Sequence, residues 1–378
     1  MSAAPDFNAR LFLTGALAFM TTGMLSSLFG VALPAYVHGF GLSEGQGTLL
    51  LSLYGLGAFL AVVAGIFVTR LLTLRRGLAA IALGVGLLAL QWHWGLMLLG
   101  GALAGIGLGA LAVVVNRQFL ANFGARGPGM VGMVNAVFGL GAIISPLVFV
   151  WAGGLPALVF GGIGLLALLT LPLVQPDRSL AAEVPGMPHL AQWPLLILVF
   201  NLFSAVIEVG LIGLGPTALI ASGIDGFDAA RLVSAFSVCF LLGRLSLYWL
   251  TRIVGSDLLF LTALAGTAGC MALSASLSPA AGFVLAGGFI GMFFPTFYVW
   301  AIGVLRDTRM GSVILCAGLS AVTLCPVILG LILGISGQRA LFGIMAGLAA
   351  VLALAFVPTL LWARRITGQA ETGPILAP

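Results

Sequence analysis

The chain has 378 residues, of which 61% are hydrophobic and only 7% charged, and its mean hydropathy is +1.22. A soluble domain carries about 25% charged residues, so this composition excludes one and points to an all-α membrane protein. The formal charge of +5 rests on fifteen arginines and no lysine. These lie scattered between apolar runs, never in a stripe with aromatics, which excludes nucleic acid as a partner.

Apolar runs of about 20 residues separated by short polar loops predict twelve transmembrane helices. They fall at 11–36, 45–69, 77–92, 95–118, 130–150, 155–174, 193–221, 229–251, 256–276, 280–304, 311–334 and 340–362. The first run is long enough to span and lacks a cleavage site, so it is expected to stay. Span 3 is interrupted by Gln91, Trp92, His93 and Trp94; the two tryptophans read as interfacial anchors. His38 and His93 sit at outer boundaries as loop residues. Gly101, Gly105 and Gly109 in span 4 have the small-xxx-small spacing of closely packed helices. No strand precedes them, so they are not a nucleotide loop. In span 5, Gly141-xxx-Ser145-Pro146 predicts a proline-bent helix packed on its neighbour. The one long hydrophilic connection, 175–192, divides the chain into bundles at 1–174 and 193–378. Nothing resembles a phosphate-binding lysine loop, which argues against ATP as the energy source and against an enzyme. Cys239, Cys270, Cys316 and Cys325 fall inside apolar spans without nearby histidines, so packing, not a metal or disulfide, is expected.

Span 7 holds a single carboxylate, Glu208, with about fourteen almost entirely apolar residues on either side. At about 1.5 Å per residue it lies near the middle of a hydrocarbon layer about 30 Å thick. An acid there costs at least ~2.5 kcal/mol, so it should face a polar cavity or a partner. That makes Glu208 the candidate proton carrier or ligand of substrate hydroxyls. Asn201 lies two turns earlier on the same helical face.

With the N-terminus cytoplasmic, Arg10, Arg70, Arg75, Arg76, Arg117, Arg126, Arg178, Arg252, Arg306, Arg309, Arg364 and Arg365 all fall on the cytoplasmic side. Only Arg231 and Arg339 fall outside, so both termini are expected to be cytoplasmic. The halves also repeat. A shift of 182 residues places Pro34 on Pro216, Gly41 on Gly223, Ser52 on Ser234 and Thr69-Arg70 on Thr251-Arg252. It also places Leu103-Ala104-Gly105 and Gly109 on Leu285-Ala286-Gly287 and Gly291. Parallel six-span repeats are the mark of transporters whose halves rock about a midplane site.

Six plus six spans with this repeat resemble the major facilitator superfamily. Its loop between spans 2 and 3 is matched by GIFVTRLLTLRRG (65–77), keeping Gly65, Arg70 and Arg75-Arg76 and replacing an aspartate with Thr69. In that family the loop latches the halves, which implies gating roles for Arg70 and Arg76. Arg244 looks like the corresponding arginine of the second half. More narrowly, 107–119 with Asn116, 135–147 with Asn135 and Pro146, 207–219 with Glu208, and 293–312 with Phe294, Pro295 and Thr296 resemble the fucose-permease branch. The proton-coupling acids of that permease fall at Gly30 and Ala112 here, so three possibilities stay open. Glu208 handles the proton alone, the protein is a facilitator, or another ion such as sodium drives it.

The expected site draws on Glu208, Asn201, Asn135, Asn116, Tyr298, Phe294, Thr296, Trp300 and Tyr54. The amides and hydroxyls suit sugar hydroxyls, and the aromatics of span 10 suit a sugar ring. The expected protein is a monomeric, multi-pass transporter of the cell (inner) membrane with the lipid bilayer as its surroundings and no cofactor. It takes up a small-molecule substrate, a sugar, by alternating access. The competing reading is a proton-driven exporter of amphipathic or hydrophobic compounds, favoured by very apolar spans, the loss of the permease's coupling acids and the resemblance of Gly141-xxx-Ser145-Pro146 to a loosened form of the superfamily's antiporter motif. A membrane sensor is disfavoured because no soluble domain remains.

Overall fold

The computed structural model describes residues 8–68, 71–123, 126–175, 192–305 and 310–367. These form thirteen α-helices and, among the described residues, no strand. The helices are α1 (Ala9–Phe40), α2 (Glu44–Phe67), α3 (Leu74–Leu90), α4 (Trp94–Phe123), α5 (Gly127–Trp151), α6 (Pro156–Thr170), α7 (Gln192–Ala221), α8 (Gly226–Leu250), α9 (Ser256–Ser276), α10 (Pro279–Ile290), α11 (Phe293–Leu305), α12 (Met310–Ser336) and α13 (Ala340–Thr367). Their ends carry polar signals. Ser43 and Gln46 form a reciprocal capping box at the start of α2, and Thr73, Asp225 and Ser278 accept the first-turn amides of α3, α8 and α10.

Eleven stretches are long and apolar enough to cross a membrane, with α10 and α11 counting as one. The remaining helix, α3, has 17 residues and spans about 26 Å, nearly the hydrocarbon thickness. It stops at Gln91, which adopts φ 50, and Trp92 beyond it is 80% exposed. The chain is a multi-pass, all-α membrane protein.

The span expected to run unbroken over 280–304 is instead two helices meeting at Gly291-Met292. Pro295 is the cause. It has no N–H to give the carbonyl four residues back, which belongs to Gly291, and it is tolerated because it sits in the first turn of α11. The matching position in the first half is Val113, and α4 runs through it without a break.

By contact, the chain divides into two compact units: 1–184 with 322–330, and 185–321 with 331–378. In the first, Asn8 caps α1 and its Nδ2 donates to Gln175. Arg10 donates to the carbonyls of Leu173 (2.8 Å) and Pro172 (3.0 Å). Phe29 packs between Tyr54 and Phe160. In the second unit, Phe260 is ringed by Phe293, Phe297 and Phe356, and Trp300 closes the cluster 4.8 Å from Phe356.

The repeat is visible in atomic register. A Cβ on Gly105 of α4 would strike the carbonyl oxygen of Tyr54 on α2, and one on Gly109 that of Ala58. In the other unit, Gly287 and Gly291 meet the carbonyl oxygens of Phe236 and Phe240 on α8 in the same way. Each pair is the first displaced by 182 residues. The glycine run of span 4 is thus a close-packing seam, repeated between α8 and the broken span. Gly41 and Gly223, also repeat mates, end α1 and the turn after α7 with φ 59 and φ 91.

Candidate functional site

Glu208 lies at the centre of α7, and its carboxylate faces Arg244 of α8. Arg244 Nη2 is 3.9 Å from Glu208 Oε1, an ion pair rather than a hydrogen bond. The two side chains are 27% and 23% exposed, so neither is sealed away. Three things hold the guanidinium. Its Nε donates to the carbonyl of Gly291 (3.3 Å), its carbon sits 4.4 Å above the Phe240 ring, and Glu208 supplies the opposite charge. The first follows from the helix break. Pro295 leaves the Gly291 carbonyl without its ladder partner, and Arg244 takes it. Gly291, lacking Cβ, lets α8 come close enough for this. Glu208, Arg244 and the freed carbonyl therefore form one constellation built from α7, α8 and the α10–α11 junction.

The resemblance implies a gating role for Arg244, which the structure places beside Glu208. In the repeat register Arg252, not Arg244, stands opposite Arg70. Arg252 lies just past α8 with its guanidinium 4.3 Å above the Tyr248 ring. Arg244 is two turns deeper and belongs to Glu208. Arg70 lies outside the described residues. Arg76 is exposed in the first turn of α3, where its Nη1 donates to the Leu71 carbonyl (3.0 Å).

Asn201 shares the face of Glu208 but not its surroundings. It is 2% exposed, and its Nδ2 donates to the Ile314 carbonyl of α12 (2.6 Å). Gly318 makes room, since a Cβ there would come within 3.1 Å of that nitrogen. Thr296 turns its hydroxyl onto the Met292 carbonyl (2.6 Å), and Trp300 is packed into the Phe260 cluster. Phe294 and Tyr298 meet as an i, i+4 pair with centroids 5.5 Å apart and rings tilted by 36°, both half-buried. In the first unit, the Tyr54 hydroxyl meets Ser26 Oγ at 3.2 Å, and Asn135 donates to the Val131 carbonyl of its own helix (2.8 Å). Asn116 Oδ1 is buried without a hydrogen-bond partner among the described residues. The structure therefore brings Glu208 together with Arg244, and it occupies Asn201, Asn135, Thr296 and Trp300 with structural partners. Sequence reasoning missed Phe240, the Gly291 carbonyl and the link between Glu208 and Arg244. No sequence signal marked the freed carbonyl, since Pro34 follows Gly30 at the same spacing within the unbroken α1. Among the described residues no group of three His, Cys, Asp or Glu side chains could hold a metal.

The family model of the Major Facilitator Superfamily matches residues 12–315. No curated protein matches the chain. Two solved structures share the fold. The nucleoside transporter NupG superposes with a TM-score of 0.71 at 14% identity, covering 92% of this chain and 99% of its own. A D-xylose-proton symporter superposes with 0.73 at 13% identity, covering 92% and 96%.

Proposed function

The chain belongs to the major facilitator superfamily, a family of transporters rather than enzymes, and we propose that it takes up a small polar solute of the sugar class, coupled to protons through Glu208. The observation that carries this reading is the Glu208–Arg244 pair at the centre of α7. A carboxylate held 3.9 Å from a guanidinium and not fully enclosed by protein can exchange its proton without leaving its site. The half-buried Phe294–Tyr298 pair supplies aromatic surface and a phenol of the kind that suit a sugar ring. The xylose symporter and the nucleoside transporter among the fold relatives carry solutes with sugar rings, which favours this class over amphipathic cargo. The arginine distribution favours both termini in the cytoplasm of a cell whose inner membrane the chain spans.

The test is uptake of radiolabelled hexoses and hexose acids into proteoliposomes, with and without an inward proton gradient. Wild type is expected to accumulate at least one of them against its gradient. Glu208→Gln is expected to equilibrate it without accumulation. Equilibration by wild type, insensitive to pH, makes the protein a facilitator, and absence of flux across the panel removes the sugar class.

A further inference from the structure

Several described arginines are engaged within the protein. Arg10 donates to the carbonyls of Leu173 and Pro172, Arg76 donates to that of Leu71, and Arg231 and Arg244 pair with Asp228 and Glu208. Arg252, just past the end of α8, is different. It is exposed, and among the described residues its five N–H donors have no acceptor. Its guanidinium is still held, 4.3 Å above the Tyr248 ring, and Tyr248 is braced edge-on by Trp249 with centroids 5.4 Å apart. A cation–π contact consumes none of the N–H groups, so the fork remains for a phosphate or carboxylate.

Depth says which oxyanion. Arg244 sits beside Glu208 at the centre of α7, and Arg252 lies eight residues further along the chain. Eight residues of helix rise about 12 Å, against about 15 Å for half the hydrocarbon layer, so Arg252 stands where lipid phosphates begin. Tyr248 and Trp249, 64% and 60% exposed, occupy the interfacial level just beneath it. From there an apolar stripe runs back toward the midplane. Val238, Leu242, Leu245 and Trp249 follow one another at helical spacing, and all four are exposed. The stripe is about 16 Å long, the reach of one acyl chain. The first half lacks the aromatic seat, because Ile66 and Phe67 stand where the second half has Tyr248 and Trp249. Charge narrows the choice of lipid. Asp257, the next carboxylate along the chain, accepts the Leu258 amide at the start of α9 (2.8 Å), and Arg252 forms no ion pair among the described residues. An anionic headgroup supplies the charge that Arg252 lacks, whereas a zwitterionic one brings an ammonium beside a guanidinium.

We propose that the Arg252 end of α8 is a binding site for an anionic phospholipid. Arg252 takes the phosphate in its fork, Tyr248 holds the guanidinium in place, and an acyl chain lies along Trp249, Leu245, Leu242 and Val238. The site belongs to the bilayer side of the protein and stands whichever solute is carried.

The experiment places the full chain in nanodiscs of phosphatidylcholine and phosphatidylglycerol in equal parts, with bromine on the acyl chains of one lipid or the other. Quenching of Trp249 is read as the difference between each chain and its Trp249→Phe counterpart. Brominated phosphatidylglycerol is expected to quench more, by about fivefold in relative occupancy for one arginine at the surface. Arg252→Gln should bring the two lipids close to parity. Tyr248→Leu, which keeps the charge and removes the seat, should lower the preference. Arg75→Gln removes an exposed arginine with no ring contact among the described residues and should leave the preference unchanged. Parity in the wild type overturns the proposal, and that reading needs only the Trp249→Phe control should the other variants fold poorly. A loss in Arg75→Gln equal to that in Arg252→Gln also overturns it, since surface charge at large would then be the cause. Displacement by millimolar inorganic phosphate would make this a soluble-anion site and overturn it as well; the acyl track predicts none.

Discussion

At the scale of single residues, Glu208 was legible because one acid in an apolar run has nowhere to hide, whereas its partner was not. Arg244 lies 36 residues further on, on another helix, and which arginine reaches which acid depends on how α7 and α8 pack. Periodicity put Asn201 on the face of Glu208, yet a side chain follows the carbonyl it can reach, and Gly318 exposes that of Ile314. Thr296 and Trp300 show the same limit, because an amphipathic side chain in an apolar helix has equal reasons to turn inward or outward. The Glu208–Arg244 pair makes a quantitative prediction. Removing either charge strands the other, so Glu208→Gln and Arg244→Gln should each lower the melting temperature in detergent, and the double mutant should lower it by less than the sum of the two. The coupling should be about 1 kcal/mol for a pair a quarter exposed. Additive effects in a double-mutant cycle would show that the two groups do not sense one another.

At the scale of elements, the twelve crossings follow from length and hydropathy, because each helix must satisfy its own backbone in lipid. The break between α10 and α11 was not legible, since prolines at Pro34, Pro146, Pro216 and Pro326 sit inside helices that remain continuous. What distinguishes Pro295 is the carbonyl it frees beside an arginine. Pro295→Ala restores the missing donor, so the span should straighten, the Gly291 carbonyl should return to its own ladder and Arg244 should lose its anchor. The expected outcome is an unchanged or higher melting temperature with transport reduced at least tenfold; unchanged transport would falsify the anchoring role. The glycine seams predict the opposite pattern. Gly105→Ala and Gly287→Ala drive a methyl group into the backbones of α2 and α8, and each should cost about 1–3 kcal/mol. Gly86→Ala, with nothing within 4 Å of its Cβ, should cost nothing and serves as the control in the same melts.

At the scale of the whole molecule, the internal repeat was the strongest signal in the sequence, because glycines and prolines that set helix approach and helix ends are poorly replaceable. The orientation proposed from the arginines can be checked chemically. In a background freed of the native cysteines, Thr73→Cys in the loop before α3 should be protected from an impermeant maleimide in intact cells. Ser222→Cys in the turn after α7 should be labelled, and reversed labelling would invert the orientation. The shared register also allows the halves to be compared position by position. Ser26 stands where the second half has Glu208, Val62 where it has Arg244, and Val113 where it has Pro295. The three positions that build the Glu208 constellation thus carry neither charge nor proline in the first half, which folds the same helices without them. Changing Glu208→Ser, Arg244→Val and Pro295→Val together should give a chain that inserts and melts no lower than wild type, with its proton-driven transport gone.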